Sequence, residues 1–266
     1  MDLGLKEKVI LVTGASKGIG KAIAIAFATE GSHVVLNARH QQELEQVTQE
    51  IQRRGGNALA LAADVTNASE IQHLVQQAIA LFGTIHVLVN NAGGADVFAS
   101  FEELSDEDWI NIFNLNVLST VRLTRAILPS MQQQKWGRII NISSESGTQP
   151  DPFGPHYNAA KAAVTNLTKS LSKAYARDGI LINTVSPGII RTPQLEQLLA
   201  AQAKKRSITP QEAEQVFLRQ NRPHIELGRP GTPEEVASAV VFLASEAASF
   251  INGTNLRVDG GSVASI

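Results

Sequence analysis

The stretch "KVILVTGASKGIGKAIAIAFA", residues 8–28, joins an apolar run, a glycine-rich turn and an amphipathic run. The apolar run predicts a buried strand, and Ile23 and Phe27, at helical spacing, predict the helix that follows it. Gly14, Gly18 and Gly20 permit a tight turn and a close approach of the backbone to a ligand. Because the N–H groups at a helix N-terminus attract anions, the segment predicts a pyrophosphate site. The alternative is a tight turn that binds nothing.

The same alternation continues along the 266 residues. Six further apolar runs lie at residues 33–38, 58–64, 86–93, 137–143, 180–186 and 255–260. Several are apolar almost throughout, as expected of parallel strands covered on both faces. The chain is therefore predicted to form an α/β single-domain Rossmann fold, a doubly wound seven-stranded parallel sheet with helices on both faces. We expect one domain over residues 1–266, because no linker or repeat divides the chain.

Residues 193–230 make the last connection longer than one crossover helix requires. Leu195, Leu198 and Leu199, followed by Val216 and Phe217, indicate one or two amphipathic helices there. An insertion of this kind beside a site is often a lid, and the alternative is a packing embellishment. We predict a substrate lid.

Composition argues against several classes of function. There is no cysteine, so disulfides and thiolate chemistry are excluded, and the six histidines form no metal-binding motif, so no metal is expected. A net charge of −2 and a pI near 6.3 favour neither nucleic acid nor an anionic membrane as a partner. The start "MDLGLKEKVI" lacks a signal-peptide pattern, and no apolar run reaches the ~18 residues of a membrane span. We expect a soluble, cytoplasmic protein.

The end of the second strand bears on which nicotinamide dinucleotide would bind. An acid there accepts hydrogen bonds from the ribose 2′-OH of NAD, whereas a cation meets the 2′-phosphate of NADP. The sequence reads "NARH", with Ala38 where an acid could stand and Arg39 next to it. Lys17, in the glycine loop, is a second cation. Each could be a solvated surface charge, but together they predict NADP(H) rather than NAD(H).

Seven short motifs, in order, resemble those of the short-chain dehydrogenases/reductases over nearly the whole chain. They are "TGASKGIG" (13–20), Asp64, "NNAG" (90–93), Asn116 in "NLNV", "NISSESG" (141–147), "YNAAK" (157–161) and "PGIIRT" (187–192). The resemblance implies an NADP(H)-dependent oxidoreductase that transfers a hydride between nicotinamide and a carbonyl or secondary alcohol. Among members of the family, β-ketoacyl-(acyl carrier protein) reductases are the leading specific expectation.

The resemblance also implies a catalytic set of Asn116, Ser144, Tyr157 and Lys161. Tyr157 would be the general acid/base. Lys161, one helical turn further on, and the positive nicotinamide of the oxidised cofactor would lower its pKa, and Lys161 would also hold the nicotinamide ribose. Ser144, 13 residues before Tyr157, would hydrogen-bond the substrate oxygen, with Ser143 as the competing candidate. Asn116 would anchor a water next to Lys161, or would merely cap a helix bend.

The implied cofactor residues lie at the predicted strand ends. Asp64 and Val65 resemble the pair that holds the adenine, and the segment from Pro187 to Thr192 resembles the one that meets the nicotinamide carboxamide. Ile189 would pack near the nicotinamide or would simply belong to the core. The full set is Gly14, Ser16, Lys17, Gly18, Ile19, Gly20, Arg39, Asp64, Val65, Asn91, Ala92, Gly93, Tyr157, Lys161, Pro187, Gly188, Ile189 and Thr192.

The substrate is expected to contact residues 94–97, 145–150, His156 and the segment 193–225. Glu145 departs from the family pattern: it would bind a polar substrate group or would lie as a charge at an open rim. An acidic acyl carrier would need a basic patch. Lys135 stands alone, and Asp178 neutralises Arg177, which counts against a carrier.

Two other functions remain open. One is an NAD(P)-dependent alcohol, polyol or sugar dehydrogenase on the same fold. The other is a non-catalytic dinucleotide-binding regulatory protein, against which the complete catalytic set argues, because a binder needs no tyrosine acid.

The helix that begins near Tyr157 is expected to contact another copy of the chain. Its apolar band is broad, consisting of Ala159, Ala160, Ala162, Ala163, Val164, Leu167 and Leu171. In the family that this chain resembles, the corresponding helix pairs with its two-fold mate, and the C-terminal strand forms a second interface. We expect a homotetramer, with a dimer as the alternative. The second tyrosine, Tyr175, is expected to be ordinary helix packing.

Overall fold

The seven apolar runs form one parallel sheet in the computed structural model, which describes residues 2–95 and 97–264. Its strands are β1 Val9–Thr13, β2 His33–Ala38, β3 Asn57–Ala62, β4 Val87–Asn90, β5 Gly137–Ile142, β6 Ile180–Pro187 and β7 Asn255–Val258. All pairings are parallel, in the order β3-β2-β1-β4-β5-β6-β7. The predicted doubly wound sheet is confirmed.

Helices connect the strands and cover both faces of the sheet. They are α1 Gly18–Thr29, α2 Gln41–Arg53, α3 Ala68–Phe82, α4 Asp106–Phe113, α5 Ser119–Gln134, α6 Pro155–Tyr175, α7 Pro193–Arg206, α8 Pro210–Asn221 and α9 Pro233–Ala244. Ser105, Thr209 and Thr232 begin α4, α8 and α9 with reciprocal capping boxes, in which the side chain three residues on bonds back to the capping residue. Within the described ranges, no helix is both long and apolar enough to cross a membrane.

The core is divided by the sheet, because successive side chains of a strand point to opposite faces. On β1, Ile10 and Val12 join the cluster that contains residues of α1, α2 and α9. Val9 and Leu11 join the opposite cluster, which contains residues of α3 and α5. Tyr175 also packs against this second cluster, as ordinary helix packing requires.

The strand order places the predicted motifs along one edge of the sheet. From β1 the chain proceeds outward through β2 and β3, then returns to add β4 on the other side of β1. A crevice opens where the order reverses, outside the carboxyl ends of the strands, and ligands of this fold bind there. The glycine loop follows β1, the loop from Asn91 follows β4, and Ser143 and Ser144 follow β5. Sequence motifs far apart in the chain therefore meet at this crevice.

The insertion predicted at residues 193–230 contains two helices, α7 and α8, ahead of α9. Leu195 and Leu199 on α7 and Leu218 on α8 are buried, and the two helices pack against each other. Leu198 departs from the expected apolar face, because its side chain is 45% exposed. We call the segment Pro193–Asn221 the helical cover.

Candidate active site

The glycines of the loop occupy positions where a side chain would clash or would strain the backbone. Gly14 and Gly18 have φ angles of +63° and +56°, in the left-handed region that favours glycine. A Cβ added to Gly20 would lie 2.2 Å from the carbonyl oxygen of Gly14 and 2.5 Å from Nδ2 of Asn91. The loop therefore brings its backbone into direct contact with the end of β4, and α1 begins at this point.

Thr13 joins the two central strand ends. Its Oγ1 donates to the carbonyl oxygen of Val89 (3.2 Å) and accepts from the N–H groups of Asn91 (3.0 Å) and Ala92 (2.9 Å). The Asn91 side chain in turn donates to the carbonyl oxygen of Thr13, at 2.8 Å. Thr13 begins the glycine motif, and no role was predicted for it from the sequence. A polar residue that ends an otherwise apolar strand was the available signal.

The residues expected around the adenine ribose present two exposed cations. Lys17 and Arg39 are exposed, and the side chain of neither makes a hydrogen bond or an ion pair in the described ranges. The Asp64 carboxylate instead stabilises its own turn, accepting from the N–H and the hydroxyl of Thr66 at 2.8 Å each. Val65 is buried beneath it.

The two neighbouring serines have different surroundings. Ser143 is buried; its Oγ donates to the carbonyl oxygen of Lys161 (2.8 Å) and accepts from the hydroxyl of Thr165 (3.1 Å). Ser143 therefore attaches α6 to the sheet. The hydroxyl of Ser144 accepts from the N–H of Ser146 and donates to the Ser146 hydroxyl, both at 3.2 Å, and Ser144 is only partly buried. The geometry thus favours Ser144 over Ser143 as the substrate-facing serine.

Tyr157 and Lys161 share a face of α6, with the Lys161 Nζ 5.5 Å from the centre of the Tyr157 ring. Nζ is also held by the carbonyl oxygen of Ile142, at 3.0 Å. Burial lowers the pKa of Lys161 to about 8. Burial raises the pKa of Tyr157 above its usual range; the hydrogen bond from Ser144 opposes this, and the Glu145 carboxylate adds to it. In the protein alone the pKa of Tyr157 is therefore not lowered, because desolvation of the phenolate outweighs the favourable contact. The lowering expected with the oxidised nicotinamide bound stays a prediction.

Asn116 lies in a π-helical turn, Asn114–Leu118, between α4 and α5. Its Nδ2 donates to the carbonyl oxygens of Gly94 (2.9 Å) and Ile112 (3.0 Å), and its Oδ1 accepts from the N–H of Gly94 (3.1 Å). A Cβ added to Gly93 would lie 2.6 Å from Oδ1 of Asn116 and 3.2 Å from Nζ of Lys161. Asn116 therefore closes a helix bend and also reaches toward Lys161, so its two interpretations are compatible.

The segment after β6 closes onto the glycine loop. The Gly188 N–H donates to the carbonyl oxygen of Val258 (3.0 Å), and Thr192 caps α7. A Cβ added to Gly18 would lie 3.3 Å from the methyl group of Thr192. Ile190 is buried in the core, whereas Ile189 is only partly buried, so Ile189 is not simply a core residue.

Glu145 does not lie at an open rim, because its residue is only 4% exposed. Its Oε1 accepts from Nε of Arg222 at 2.8 Å, and Arg222 also pairs with the Asp151 carboxylate. Arg222 follows α8 directly, so it ties the helical cover to the loop after β5. A second ion pair, Arg191 Nη2 to Glu214 Oε2 at 2.7 Å, ties α8 to the segment after β6. The sequence contained no signal for either pairing, since the partners are distant in the chain.

Aromatic rings line the approach to Tyr157. The ring of Phe98, a residue that is 62% exposed, lies 6.0 Å from that of Tyr157, and no sequence motif predicted this contact. His156 is buried, with its ring 6.0 Å from that of Trp109. Of the expected substrate-contacting stretch 94–97, Asp96 lies outside the described residues.

A glycine turn at the switch point of a doubly wound sheet, beside a Ser–Tyr–Lys cluster, defines the class of dinucleotide-dependent oxidoreductases. The family model for short chain dehydrogenase matches residues 8–203. The chain belongs to this family and is an oxidoreductase.

Several relatives match over nearly the full length. A 3-oxoacyl-[acyl-carrier-protein] reductase from Synechocystis sp. is 40% identical, over 97% of this chain and 98% of the relative. The 3-oxoacyl-[acyl-carrier-protein] reductase FabG of Thermotoga maritima is 36% identical, over 97% and 99%. The crystal structure of L-sorbose reductase from Gluconobacter frateurii, complexed with NADPH and L-sorbose, has a TM-score of 0.95 and 34% identity, with full coverage of both chains.

The two serines provide a matched pair of substitutions. Ser144→Ala removes the hydroxyl at Tyr157, and we expect kcat to fall by about 10²–10³ with stability little changed. Ser143→Ala leaves the Lys161 carbonyl oxygen without that donor, and we expect a loss of about 1–3 kcal/mol of unfolding free energy with most of kcat retained. Urea unfolding and steady-state kinetics on both variants test the assignment. The reverse pattern would identify Ser143 as the serine that faces the substrate.

Proposed function

We propose that this chain is an NADP(H)-dependent ketone reductase, of ketoacyl type in the first instance, with Tyr157 as general acid. The observation that carries the proposal is the placement of Tyr157 and Lys161 on one face of α6, with the Lys161 Nζ 5.5 Å from the centre of the Tyr157 ring, beside the end of β5 that Ser144 follows. A tyrosine whose pKa is raised by burial stays protonated at neutral pH. It is therefore ready to donate a proton, as reduction of a carbonyl requires.

Bound NADPH would supply the hydride to the carbonyl carbon. The Ser144 hydroxyl donates a hydrogen bond to the carbonyl oxygen and so stabilises its developing negative charge. The Tyr157 O–H transfers its proton to that oxygen, which completes the alcohol and leaves a phenolate. The Lys161 ammonium stabilises the phenolate until solvent returns the proton, and Asn116 anchors a water on that route.

The loop geometry supports a dinucleotide in the crevice. The space that a Cβ on Gly14 or Gly20 would occupy is already taken by neighbouring backbone and by Asn91, so only backbone lines the cradle at these positions. The N-terminus of α1 lies there and favours a pyrophosphate. Gly14, Ser16, Gly18, Ile19 and Gly20 would hold it, with Asn91, Ala92 and Gly93 beneath and Pro187 to Thr192 at the nicotinamide.

The choice of NADP(H) is supported by two exposed cations and by a solved relative. Lys17 and Arg39 have no partner among the described residues that would compete with a 2′-phosphate. The L-sorbose reductase structure is described as complexed with NADPH. Asp64 and Val65 would hold the adenine from the other side.

A β-ketoacyl thioester is the first substrate to test, because two full-length relatives are 3-oxoacyl-[acyl-carrier-protein] reductases. An acyl carrier protein as partner has less support. Arg191 and Arg222, which flank the helical cover, are each paired with carboxylates, so neither offers an uncompensated charge to an acidic partner.

The second candidate is a sugar, polyol or alcohol dehydrogenase. A buried carboxylate, Glu145, next to Ser144 makes the site more polar than an acyl chain requires. The solved relative named above acts on L-sorbose, as its name states. The helical cover would close over either substrate as a lid.

A homotetramer is proposed as the working form. On the outer side of α6 lies a groove of about 410 Å³, formed with the loop before β7 and lined by Gly147, Ala162, Thr165, Asn166, Lys169, Gly253, Thr254 and Asn255. Ile110 and Leu118 also expose apolar side chains, and Phe250 is fully exposed. The groove and these exposed apolar side chains are candidates for the two interfaces that a tetramer needs.

Tyr157→Phe tests the catalytic proposal. We expect the native protein to consume NADPH with an acetoacetyl thioester, and kcat to fall by at least about 10²–10⁴ in the variant, because the proton donor is lost. NADPH binding, measured by fluorescence, should persist. Tyr175→Phe is the matched control, and retained activity in Tyr157→Phe would refute the proposed acid. If the native protein binds NADPH without reducing the thioester, L-sorbose and related polyols are tested next.

Arg39→Ala tests the cofactor preference. We expect kcat/KM to be higher with NADPH than with NADH, and the ratio to fall by about 10- to 100-fold in the variant, because a charge-assisted contact is lost. Arg53→Ala, an exposed arginine at the far end of α2, is the control. Equal or better kinetics with NADH in the native protein would contradict the proposal.

Light scattering tests the assembly. A tetramer has four times the chain mass of 28.5 kDa at micromolar concentration. A monomer under those conditions would overturn the proposal, and Phe250→Asp should weaken one of the two interfaces.

A further inference from the structure

Glu145 is a buried carboxylate that the proposed reaction does not use directly. It follows Ser144 in a short 3₁₀ turn, and its carbonyl oxygen fixes that turn by accepting from the N–H groups of Thr148 (2.9 Å) and Gln149 (2.8 Å). Its Oε1 bonds Arg222, but Oε2 is buried and has no hydrogen-bond partner in residues 2–95 and 97–264. Burying a carboxylate oxygen without a hydrogen bond costs free energy, which suggests that Glu145 has a role in the active site.

The position of Oε2 is fixed by two parts of the crevice. A Cβ added to Gly188 would lie 3.0 Å from Oε2, so the carboxylate lies against the segment expected to meet the nicotinamide. Its own backbone is continuous with Ser143, whose Oγ donates to the carbonyl oxygen of Lys161 at 2.8 Å. The Glu145 charge therefore lies beside the turn of α6 that carries Tyr157, and it has little water to screen it.

We propose that Glu145 and Arg222 are positioning residues for the reaction: the buried carboxylate holds Tyr157 in its proton-donating form, and Arg222 offsets part of that charge. The proposal rests on the role of Tyr157 in the proposed function. It also means that the helical cover is electrically linked to the acid–base group, because Arg222 follows the last residue of α8.

Physical chemistry gives the sign of each effect. A negative charge near a phenol disfavours the phenolate and raises the tyrosine pKa, and the Glu145 carboxylate does so here. Arg222 meets Glu145 through Nε and meets Asp151 through its other nitrogens. If Arg222 moved away, the negative charge of the Glu145 carboxylate would no longer be compensated. Removal of Glu145 and removal of Arg222 should therefore act in opposite directions.

The other charged groups around this position differ from Glu145. Lys161, on α6, bonds the carbonyl oxygen of Ile142. Asp151, in the loop before α6, is paired with Arg222. Asp259, after β7, accepts from the N–H groups of Gly261 and Val263. His156, on α6, packs against Trp109. Of the carboxylates named here, Glu145 is the one with an oxygen that is both buried and unpartnered in the described chain.

The test measures the ionisation of Tyr157 in two ways. Because the chain has two tyrosines, a Tyr175→Phe background leaves Tyr157 alone to be titrated by ultraviolet absorbance with NADP⁺ bound. The second readout is the rising alkaline limb of kcat/KM for oxidation of the alcohol product. Both should report the same midpoint, because oxidation needs the phenolate.

Glu145→Gln should move both midpoints to lower pH by at least about half a unit, because the repelling charge is gone. Arg222→Gln should move them to higher pH by a smaller amount, since its charge is further from the phenol. The double variant should resemble Glu145→Gln, and Arg222→Lys should restore most of the native midpoint.

Glu214→Gln is the matched control, because it breaks the other ion pair of the helical cover by the same chemical change. We expect no shift from it. If Arg222→Gln does not fold, as judged by circular dichroism, Asp151→Asn replaces it: Arg222 is then freer to neutralise Glu145, and the midpoint should fall.

Three results separate the possible failures. In the first result, Tyr157→Phe is inactive and the alkaline limb of kcat/KM follows the titration of Tyr157, but neither Glu145→Gln nor Arg222→Gln moves the midpoint. The inference is then wrong and the proposed function stands. Shifts of the same sign in Glu145→Gln and Arg222→Gln would also overturn the inference, since they would reflect disruption of the fold. If Tyr157→Phe keeps its activity, the proposed function itself fails.

Discussion

The contact between the ends of β1 and β4 is the constraint on which the site depends. Thr13 and Asn91 exchange hydrogen bonds across this junction, and Gly20 leaves no space between the glycine loop and the Asn91 side chain. Because the strand order reverses here, the crevice has a closed floor of paired polar groups. The nucleotide loop is consequently held by side chains of another strand as well as by its own backbone conformation.

In the residues proposed for catalysis, burial opposes the formation of charge. Ser143 attaches α6 to the end of β5, and on this helix Lys161 is buried and Tyr157 is partly buried. Burial disfavours the charged form of each group, so it raises the pKa of the tyrosine and lowers that of the lysine. The protein alone therefore holds an un-ionised phenol, and a positively charged nicotinamide would shift the balance toward phenolate. Whether Tyr157 is prepared to donate or to accept a proton would therefore depend on the redox state of the cofactor.

Much of this arrangement could be predicted from the sequence because its signals are local. Strands appeared as apolar runs, and the glycine spacing and the Tyr157–Lys161 interval are features of short segments. The remainder depends on residues distant in the chain. Arg222 lies 77 positions after Glu145, and no sequence pattern near either residue predicts their ion pair. The direction of the Tyr157 pKa could not be predicted either, because burial is a property of the assembled site. Leu198 was misplaced because its helix buries a narrower face than its leucines suggest.

The junction of β1 and β4 also constrains how the chain reaches its native state. The hydrogen bonds of Thr13 span 76 to 79 positions, so a large loop must close before they can form. Parallel pairing over such separations is slow compared with the formation of local helices. During synthesis, the glycine loop emerges well before its braces at Asn91 and Ala92 exist. A nascent chain that has not yet extended past β4 consequently carries the nucleotide motif but lacks the floor that shapes it.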